Sequence, residues 1–462
     1  MTALQFDREL IQRHDCAGPR YTSYPTAVQF RPDFGEAAYR GEAARVRQAA
    51  RGIPLSLYVH LPFCTSPCFY CGCNRIITRS VDRGEAYLQR LSREIELQGA
   101  LFDRTRIVEQ LHFGGGTPTF YTPTQLARLM SVLRAHFSLT DAPTREYSIE
   151  IDPRTVSADS VAALAALGFN RMSLGVQDFD ANVQQAVNRV QAATDTLALV
   201  AAARAAGVGS IGFDLIYGLP RQTVEGFART LQTVVEARPD RIATYAYAHM
   251  PHLFKAQRRL SAQDLPSPET RLELLRLTIE RLTSAGYEYV GMDHFALPDD
   301  ELARAKHART LHRNFQGYST HALHDLVALG VSAIGKVGSA FAQNQKLLPD
   351  YYKALDEGRL PVHRGIRLTF DDEVRAATIQ ELMCHERVEY AAIGNAFQIN
   401  FREYFHAELE RLQPLRADGL VQIGSECIEI TARGRLLMRN VAMVFDAYLQ
   451  ARTAQPVYSR AI

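Results

Sequence analysis

Four of the chain's seven cysteines, Cys64, Cys68, Cys71 and Cys73, fall within ten residues, directly after the apolar run Leu55–Phe63. Thiolates are soft donors that hold zinc or iron–sulfur clusters. A structural zinc site draws its four ligands from two separated pairs. Here no second pair follows, because Cys16, Cys384 and Cys427 are scattered. The spacing therefore points to a cubane iron–sulfur cluster held by three cysteines, with one iron left open for a substrate or cofactor. Spacing alone permits either Cys64, Cys68 and Cys71 or Cys68, Cys71 and Cys73 as the triplet.

Further polar and glycine-rich residues recur at regular intervals. Gly114-Gly-Gly-Thr-Pro118, Glu150-Ile-Asp152, Gln177-Asp178, Asp214 to Pro220 and Ala248-His249 each end a short apolar run. Glycines let a ligand approach the backbone closely. Carboxylates such as Glu150 and Asp214 accept hydrogen bonds from hydroxyl or amino groups. Arg189 can grip a carboxylate with two parallel hydrogen bonds. His60, His249 and His294 are expected to border the site and to serve as hydrogen-bonding groups rather than ligands.

The elements that must position these residues alternate. Runs rich in β-branched and aromatic residues are expected to be strands at Leu55–Phe63, Val108–Phe113, Tyr147–Ile151, Arg171–Val176, Ile211–Tyr217 and Ile242–Ala248. Amphipathic stretches between them predict helices over Glu85–Leu101, Thr124–His136, Ser157–Leu167, Thr194–Ala206, Thr223–Glu236 and Pro268–Ala285. Gly168, Gly207 and Gly286 stand where helices stop. Strand–helix alternation means parallel strands joined by right-handed crossovers, in a barrel, a partial barrel or an open doubly wound sheet. In all of these the site forms at the carboxyl ends of the strands, where the distinctive residues lie.

Beyond residue 286 the rhythm changes. Tyr287–Phe295 is expected to be one further strand, Leu311–Tyr318 is too polar for core, and Leu326–Gly338 is apolar and glycine-rich. Helices are expected near Asp371–Cys384 and Phe401–Leu412, followed by a hairpin through Ile428–Thr431 and a last helix to about Leu449. Three segments result: an N-terminal arm and helix at 1–50, an α/β unit with its extension at 51–364, and a mainly helical, winged-helix-like domain at 365–462. The last is expected to cover the mouth of the α/β unit.

A net charge of +2 with 47% apolar and 22% charged residues gives no reason to expect a nucleic-acid partner. No apolar run approaches the ~18 residues of a membrane helix. An odd cysteine count with one tight cluster suits a reducing compartment, so a cytoplasmic location is expected. Nothing in the sequence calls for more than a monomer.

Cys-x3-Cys-x2-Cys after a first strand, with Tyr70 before the third cysteine and Gly-Gly-Gly-Thr-Pro after the second strand, resembles the radical S-adenosylmethionine superfamily. Arg20-Tyr-Thr-Ser-Tyr-Pro25, Tyr58-Val-His60, Cys71-Gly-Cys-Asn74, Gly175–Phe179, Asp214–Pro220, Tyr247-Ala-His249, Gly291–Phe295 and His312–Tyr318 resemble the oxygen-independent coproporphyrinogen III oxidase family. The resemblance implies a partial (β/α)6 radical S-adenosylmethionine barrel. It also implies a [4Fe-4S] cluster, two molecules of S-adenosylmethionine, and a low-potential donor similar to flavodoxin or ferredoxin. The implied reaction is oxidative decarboxylation of two propionates of coproporphyrinogen III to vinyl groups, through a 5′-deoxyadenosyl radical, giving protoporphyrinogen IX for haem synthesis. Haem chaperones of the same superfamily are the alternative; they lack the Arg20–Pro25 arm and the cysteine at position 73.

Carried over residue by residue, the resemblance makes Cys64, Cys68 and Cys71 the cluster ligands. It places Tyr58, Gly115, Glu150 and Ile334 around a first S-adenosylmethionine, and Tyr70, Gly116, Thr117, Gln177, Arg189, Asp214 and Ala248 around a second. Tyr58 and Cys73 are the residues expected nearest the chemistry. Arg20, Tyr21, Tyr24, Arg313 and Asn314 are the expected partners of the substrate's propionates.

Overall fold

The computed structural model describes residues 4–49, 52–322, 324–450 and 458. The chain forms two compact units. One comprises Met1–Gln29, Gly286–Ala322 and Leu368–Ile462; the other comprises Phe30–Ala285 and Leu323–Arg367.

In the second unit all six expected strands form: β1 (Leu55–Leu61), β2 (Ile107–Gly115), β3 (Glu146–Ile151), β4 (Arg171–Gln177), β5 (Ser210–Tyr217) and β6 (Arg241–Ala246). Each pairs in parallel with its sequence neighbour. The expected single run Leu326–Gly338 resolves into two strands, β7 (Asp325–Leu329) and β8 (Ile334–Val337). β7 lies parallel to β1, on the side away from β2. Gly330, at φ +99°, turns the chain into β8, after which β9 (Ala340–Asn344) and β10 (Val362–Arg367) continue the sheet antiparallel. The architecture is α/β, a parallel partial barrel extended by an antiparallel edge.

Strand periodicity sorts the side chains onto two faces. Leu55, Leu57, Val59 and Leu61 of β1 are buried on one face, as are Leu111 and Phe113 of β2, Tyr147 and Ile149 of β3, Leu174 and Val176 of β4, and Phe213 and Leu215 of β5. The intervening positions are polar or small: Tyr58 and His60, Gln110 and His112, Ser148 and Glu150, Ser173 and Gly175, then Asp214. One face of the sheet is thus apolar, and the other carries the chemistry.

Helices join the strands within a residue or a few of the expected bounds, for example Val81–Gly99 and Val224–Ala237. Ser80, Thr122, Ser157, Thr223 and Ser267 cap helix N-termini by accepting from backbone amides. Phe227, Leu231 and Val234 form the buried stripe of Val224–Ala237 at helical spacing. Gly168, Gly207 and Gly286 adopt positive φ just beyond their helices, as expected.

The first unit departs from expectation in three places. Tyr287–Phe295 is two short antiparallel strands, Glu288–Gly291 and His294–Ala296, because the chain turns at Gly291 and Met292, both at positive φ. Leu311–Tyr318 belongs to a hairpin whose Leu311, Arg313 and Tyr318 are buried, so its polarity did not exclude it from the interior. The expected helix Phe401–Leu412 breaks at Phe405, whose fully buried ring packs on Phe401, Tyr404 and Phe445. Phe370–His385 is helical, and Arg387–Glu389, Val421–Ile423 and Cys427–Ile430 form a three-stranded sheet.

Candidate active site

The cysteine loop leaves the sheet at the carboxyl end of β1. Phe63 and Cys64 pair with Ile76 and Ile77, and the Thr78 amide donates to the Cys64 carbonyl at 2.9 Å, closing the loop on itself. Arg75 ties its interior by donating to the carbonyls of Cys71 (2.9 Å) and Cys68 (3.0 Å). From outside, Asn188, at φ 55°, donates to the Pro67 carbonyl at 2.7 Å, and the Phe69 amide donates to the Val187 carbonyl. The loop is held at both ends and in the middle.

Its thiols are met by donors. The Thr117 hydroxyl donates to Cys64 Sγ at 3.2 Å. Arg189 Nη1 and Arg154 Nη2 approach Cys68 Sγ at 3.4 and 3.5 Å, and the Cys73 amide approaches Cys71 Sγ at 3.4 Å. Burial pushes the Cys64 thiol up to about 11, which the Thr117 hydroxyl partly opposes. The Cys73 side chain lowers Cys71 by hydrogen bonding, outweighing burial, and Cys73 is raised in return. Hydroxyl, amide and guanidinium donors around three sulfurs are the environment of anionic thiolates, so the set fits an iron–sulfur cluster. Among Cys64, Cys68, Cys71 and Cys73, only Cys73 has no donor on its sulfur among the hydrogen bonds resolved.

The glycine turn packs directly against this loop. The Gly116 amide donates to the Leu61 carbonyl at 2.9 Å, and a Cβ there would stand 2.5 Å from the Pro62 carbonyl oxygen. Gly115, at φ +120°, leaves no room for a side chain beside the His60 ring. Its amide donates to Glu150 Oε2 at 3.2 Å, while His112 Nε2 meets Glu150 Oε1 at 3.1 Å. The other His112 nitrogen is 2.5 Å from the Ser148 hydroxyl, and the ring stacks on Tyr58 at 5.7 Å. Burial pushes Glu150 up, but His112 and the Gly115 amide outweigh it and hold the carboxyl below its ordinary value.

Tyr58 reaches His60 Nδ1 at 3.1 Å, and His60 Nε2 lies 2.9 Å from the Asn74 carbonyl. A carbonyl only accepts, so Nε2 carries the proton and Nδ1 accepts from the Tyr58 hydroxyl. Burial lowers His60, consistent with a neutral ring. This links β1 to the residue following Cys73.

Asp214 stands mid-strand on β5 rather than at its end, where it accepts from the Ser173 hydroxyl at 2.9 Å. Burial raises its carboxyl to about 6, with the nearby Glu150 charge adding to the shift. Gln177 ends β4 at φ 64°. Arg189, buried, donates to Asp152 Oδ2 (3.1 Å) and to the Gly175 carbonyl (2.7 Å). Tyr70 packs against the apolar cluster of Val183, Val187, Ile216 and Tyr247. One side chain, Gln257, donates to the carbonyls of both Tyr70 and Ala248. Ile334 opens β8. The second unit therefore brings together Tyr58, Gly115 and Glu150 through His112, Cys64 with Thr117, and Cys68 with Arg189.

The five residues expected to meet propionates lie in the first unit. Tyr21 and Tyr24 are buried; the Tyr21 hydroxyl donates to Asp446 at 3.0 Å, and the Tyr24 oxygen accepts from the Ala447 amide. Arg20 pairs with Asp293. Arg313 lies over the Tyr318 ring and donates through Nε to the Arg20 carbonyl at 3.2 Å, and its buried Nη1 has no partner among the described residues. Asn314 accepts from the Gln316 amide.

Sequence reasoning missed His112 and Arg154, and named Asp152 in its strand-end motif without giving it a part. His112 was signalled by strand alternation, which places position 112 on the same face as Gln110. Asp152 caps the single turn after β3, Pro153–Thr155, that contains Arg154, and only the folded chain shows that this turn reaches Cys68.

The Radical SAM superfamily pattern matches residues 58–234, and that of the HemN C-terminal domain matches residues 368–437. The chain is 50% identical over its full length to the oxygen-independent coproporphyrinogen III oxidase of Pseudomonas aeruginosa, covering all of that protein. It is 48% identical to the oxidase of the same name from Escherichia coli K12, over 99% of each chain. The solved structure described as coproporphyrinogen III oxidase from E. coli, a radical SAM enzyme, superposes with a TM-score of 0.92 at 47% identity. That match covers 97% of this chain and all of the other. With the cysteine loop, the glycine turn and the polar strand face in place, the chain belongs to the oxygen-independent coproporphyrinogen III oxidase family.

Proposed function

We propose that the chain converts coproporphyrinogen III to protoporphyrinogen IX without molecular oxygen. Two propionate side chains each give up a hydrogen atom from the β-carbon, CO2 and one electron, and become vinyl groups. The observation that carries this reading is the three-thiol loop at the end of β1, set beside the polar face of Tyr58, His112, Glu150 and Asp214. When bound, a [4Fe-4S] cluster supplies the electron that opens S-adenosylmethionine into methionine and a 5′-deoxyadenosyl radical.

The protein's own groups prepare that event. Cys64, Cys68 and Cys71 hold the cluster, with Cys73 beside it as a thiol outside the ligand set. Tyr58, Gly115, Glu150 and Ile334 line one S-adenosylmethionine. Tyr70, Gly116, Thr117, Gln177, Arg189, Asp214 and Ala248 line a second. Glu150, held ionised by His112, is suited to a ribose hydroxyl or an amino group, and Arg189 to a carboxylate. Arg20, Arg313 and Asn314 would meet the propionates, a reading supported by the buried N–H of Arg313 that has no partner among the described residues. Tyr21 and Tyr24 act with them by fixing the arm through Asp446 and Ala447. The functional division is an arm at 1–50, a barrel with its extension at 51–364 and a C-terminal domain at 365–462.

Among the described residues no helix is long and apolar enough to cross a membrane. We place the enzyme in the cytoplasm as a monomer, served by a low-potential carrier of the flavodoxin or ferredoxin kind. The test is an anaerobic assay of cluster-reconstituted protein with S-adenosylmethionine, a low-potential reductant and coproporphyrinogen III. CO2, 5′-deoxyadenosine and protoporphyrinogen are expected together. Tight haem binding without decarboxylation would instead identify a chaperone.

A further inference from the structure

Cys68 is the one cysteine of the loop whose sulfur faces two guanidinium groups. Arg189 reaches it at 3.4 Å and Arg154 at 3.5 Å. Arg189 is already assigned to S-adenosylmethionine in the reading above, whereas Arg154 has no assigned part there.

Its placement is specific. Arg154 is the first residue after Pro153 in the single turn that follows β3. Asp152 grips it with both carboxylate oxygens, Oδ1 with Nε at 2.9 Å and Oδ2 with Nη2 at 2.6 Å, and also accepts from the Arg154 amide at 3.1 Å. Nη2 is thus shared between Asp152 and the Cys68 sulfur. The planar fork, fixed by two bonds to one carboxylate, cannot swing away without giving up both. Asp152 itself is 9% exposed and is held below its ordinary value, because Arg154 and Arg189 outweigh the cost of burying its charge. Two arginines and one aspartate leave a net positive charge against one sulfur, in a low-dielectric surround.

If the turn needed only a buried ion pair, Asp152 and Arg189 would satisfy it at 3.1 Å. A second arginine whose free N–H points at a thiolate serves a further end. Hydrogen bonds and positive charge at cysteine sulfurs favour the more negative, reduced form of an iron–sulfur cluster and raise its reduction potential.

We propose that Arg154, locked by Asp152, is a positioning residue that raises the reduction potential of the cluster through Cys68. The proposal rests on the cluster assignment above. Its effect falls on the ease of putting one electron into the site, and it requires no contact between Arg154 and substrate.

The test is a redox titration of the reconstituted full-length protein, followed by the paramagnetic signal of the reduced cluster, with iron and sulfide measured on the same samples. Arg154→Gln is expected to retain the wild-type iron content while its equilibrium constant for one-electron reduction falls roughly tenfold, about 59 mV for such a couple. Arg154→Lys, which keeps the charge and loses the fork, is expected to fall by roughly threefold. A fully loaded Arg154→Gln protein with the wild-type potential would overturn the proposal. If Arg154→Gln loses iron, Arg154→Lys decides alone: a lowered potential supports the proposal, and an unchanged one overturns it. Wild-type protein that binds no iron and sulfide would instead sink the cluster assignment itself, an outcome the elemental analysis separates from the others.

Discussion

His112 on β2 and Glu150 on β3 are joined across neighbouring strands, Nε2 to Oε1, at 3.1 Å. Because Glu150 Oε2 accepts from the Gly115 amide, this histidine is the second partner that keeps the half-exposed carboxyl of the polar face ionised.

His112→Phe keeps a ring to stack on Tyr58 but removes the bond to Glu150. A hydrogen bond to a charged group contributes about 1.5–3 kcal/mol, so S-adenosylmethionine binding should weaken roughly 10- to 100-fold. Calorimetric titration of the cluster-loaded variant checks this; unchanged affinity would show that Glu150 does not need its partner.

Gly116→Ala is expected to be more damaging than its single methyl suggests. The added Cβ meets the Pro62 carbonyl oxygen at 2.5 Å and the Phe63 carbonyl oxygen at 3.0 Å, both backbone atoms that cannot turn aside. Overpacking of this kind costs about 1–3 kcal/mol. A lower melting temperature and a reduced iron content should appear together, since the displaced strand carries Cys64.

Sulfur chemistry separates the four loop cysteines. Cys64→Ser should lose the cluster, because its sulfur is buried and held by Thr117. Cys73→Ser should keep iron near the wild-type level, as its thiol is exposed and no donor is resolved on its sulfur. Iron analysis of anaerobically purified variants decides, and loss of iron in Cys73→Ser would reassign the ligands.

One buried carboxyl, that of Glu94, should contribute a fall in stability as pH rises from about 4.5 to 7. Burial raises Glu94 to about 7, although Tyr351, the Gly330 amide and Asn344 all donate to it. A raised folded-state value means that the stabilisation is complete below the unfolded value and is lost as pH climbs through the folded one. The loss is on the order of 3 kcal/mol. Glu94→Gln should flatten that slope in urea titrations at pH 5 and pH 8; an unchanged slope would place the titration elsewhere.

Much of this site was legible before folding. The six strands that carry it were legible as short runs of β-branched and aromatic residues set between amphipathic helical stretches. The loop motif and the glycine turn were legible because thiol spacing and three consecutive glycines have few other uses. What stayed hidden depended on long-range contact. β7 read as an apolar glycine-rich stretch because a buried parallel strand lacks alternation. Tyr21 and Tyr24 were expected to meet propionates, yet their hydroxyls are engaged by Asp446 and Ala447, more than 400 positions away. Arg154 belongs to no motif, and only the folded chain brings its guanidinium to Cys68.

The central claim is that a hydrogen atom leaves the β-carbon of a propionate on its way to a vinyl group. Coproporphyrinogen III deuterated at the propionate β-carbons, turned over anaerobically, tests it most directly by mass spectrometry of the 5′-deoxyadenosine formed. The account predicts deuterium in 5′-deoxyadenosine in step with CO2 release. Vinyl formation accompanied by unlabelled 5′-deoxyadenosine would contradict it.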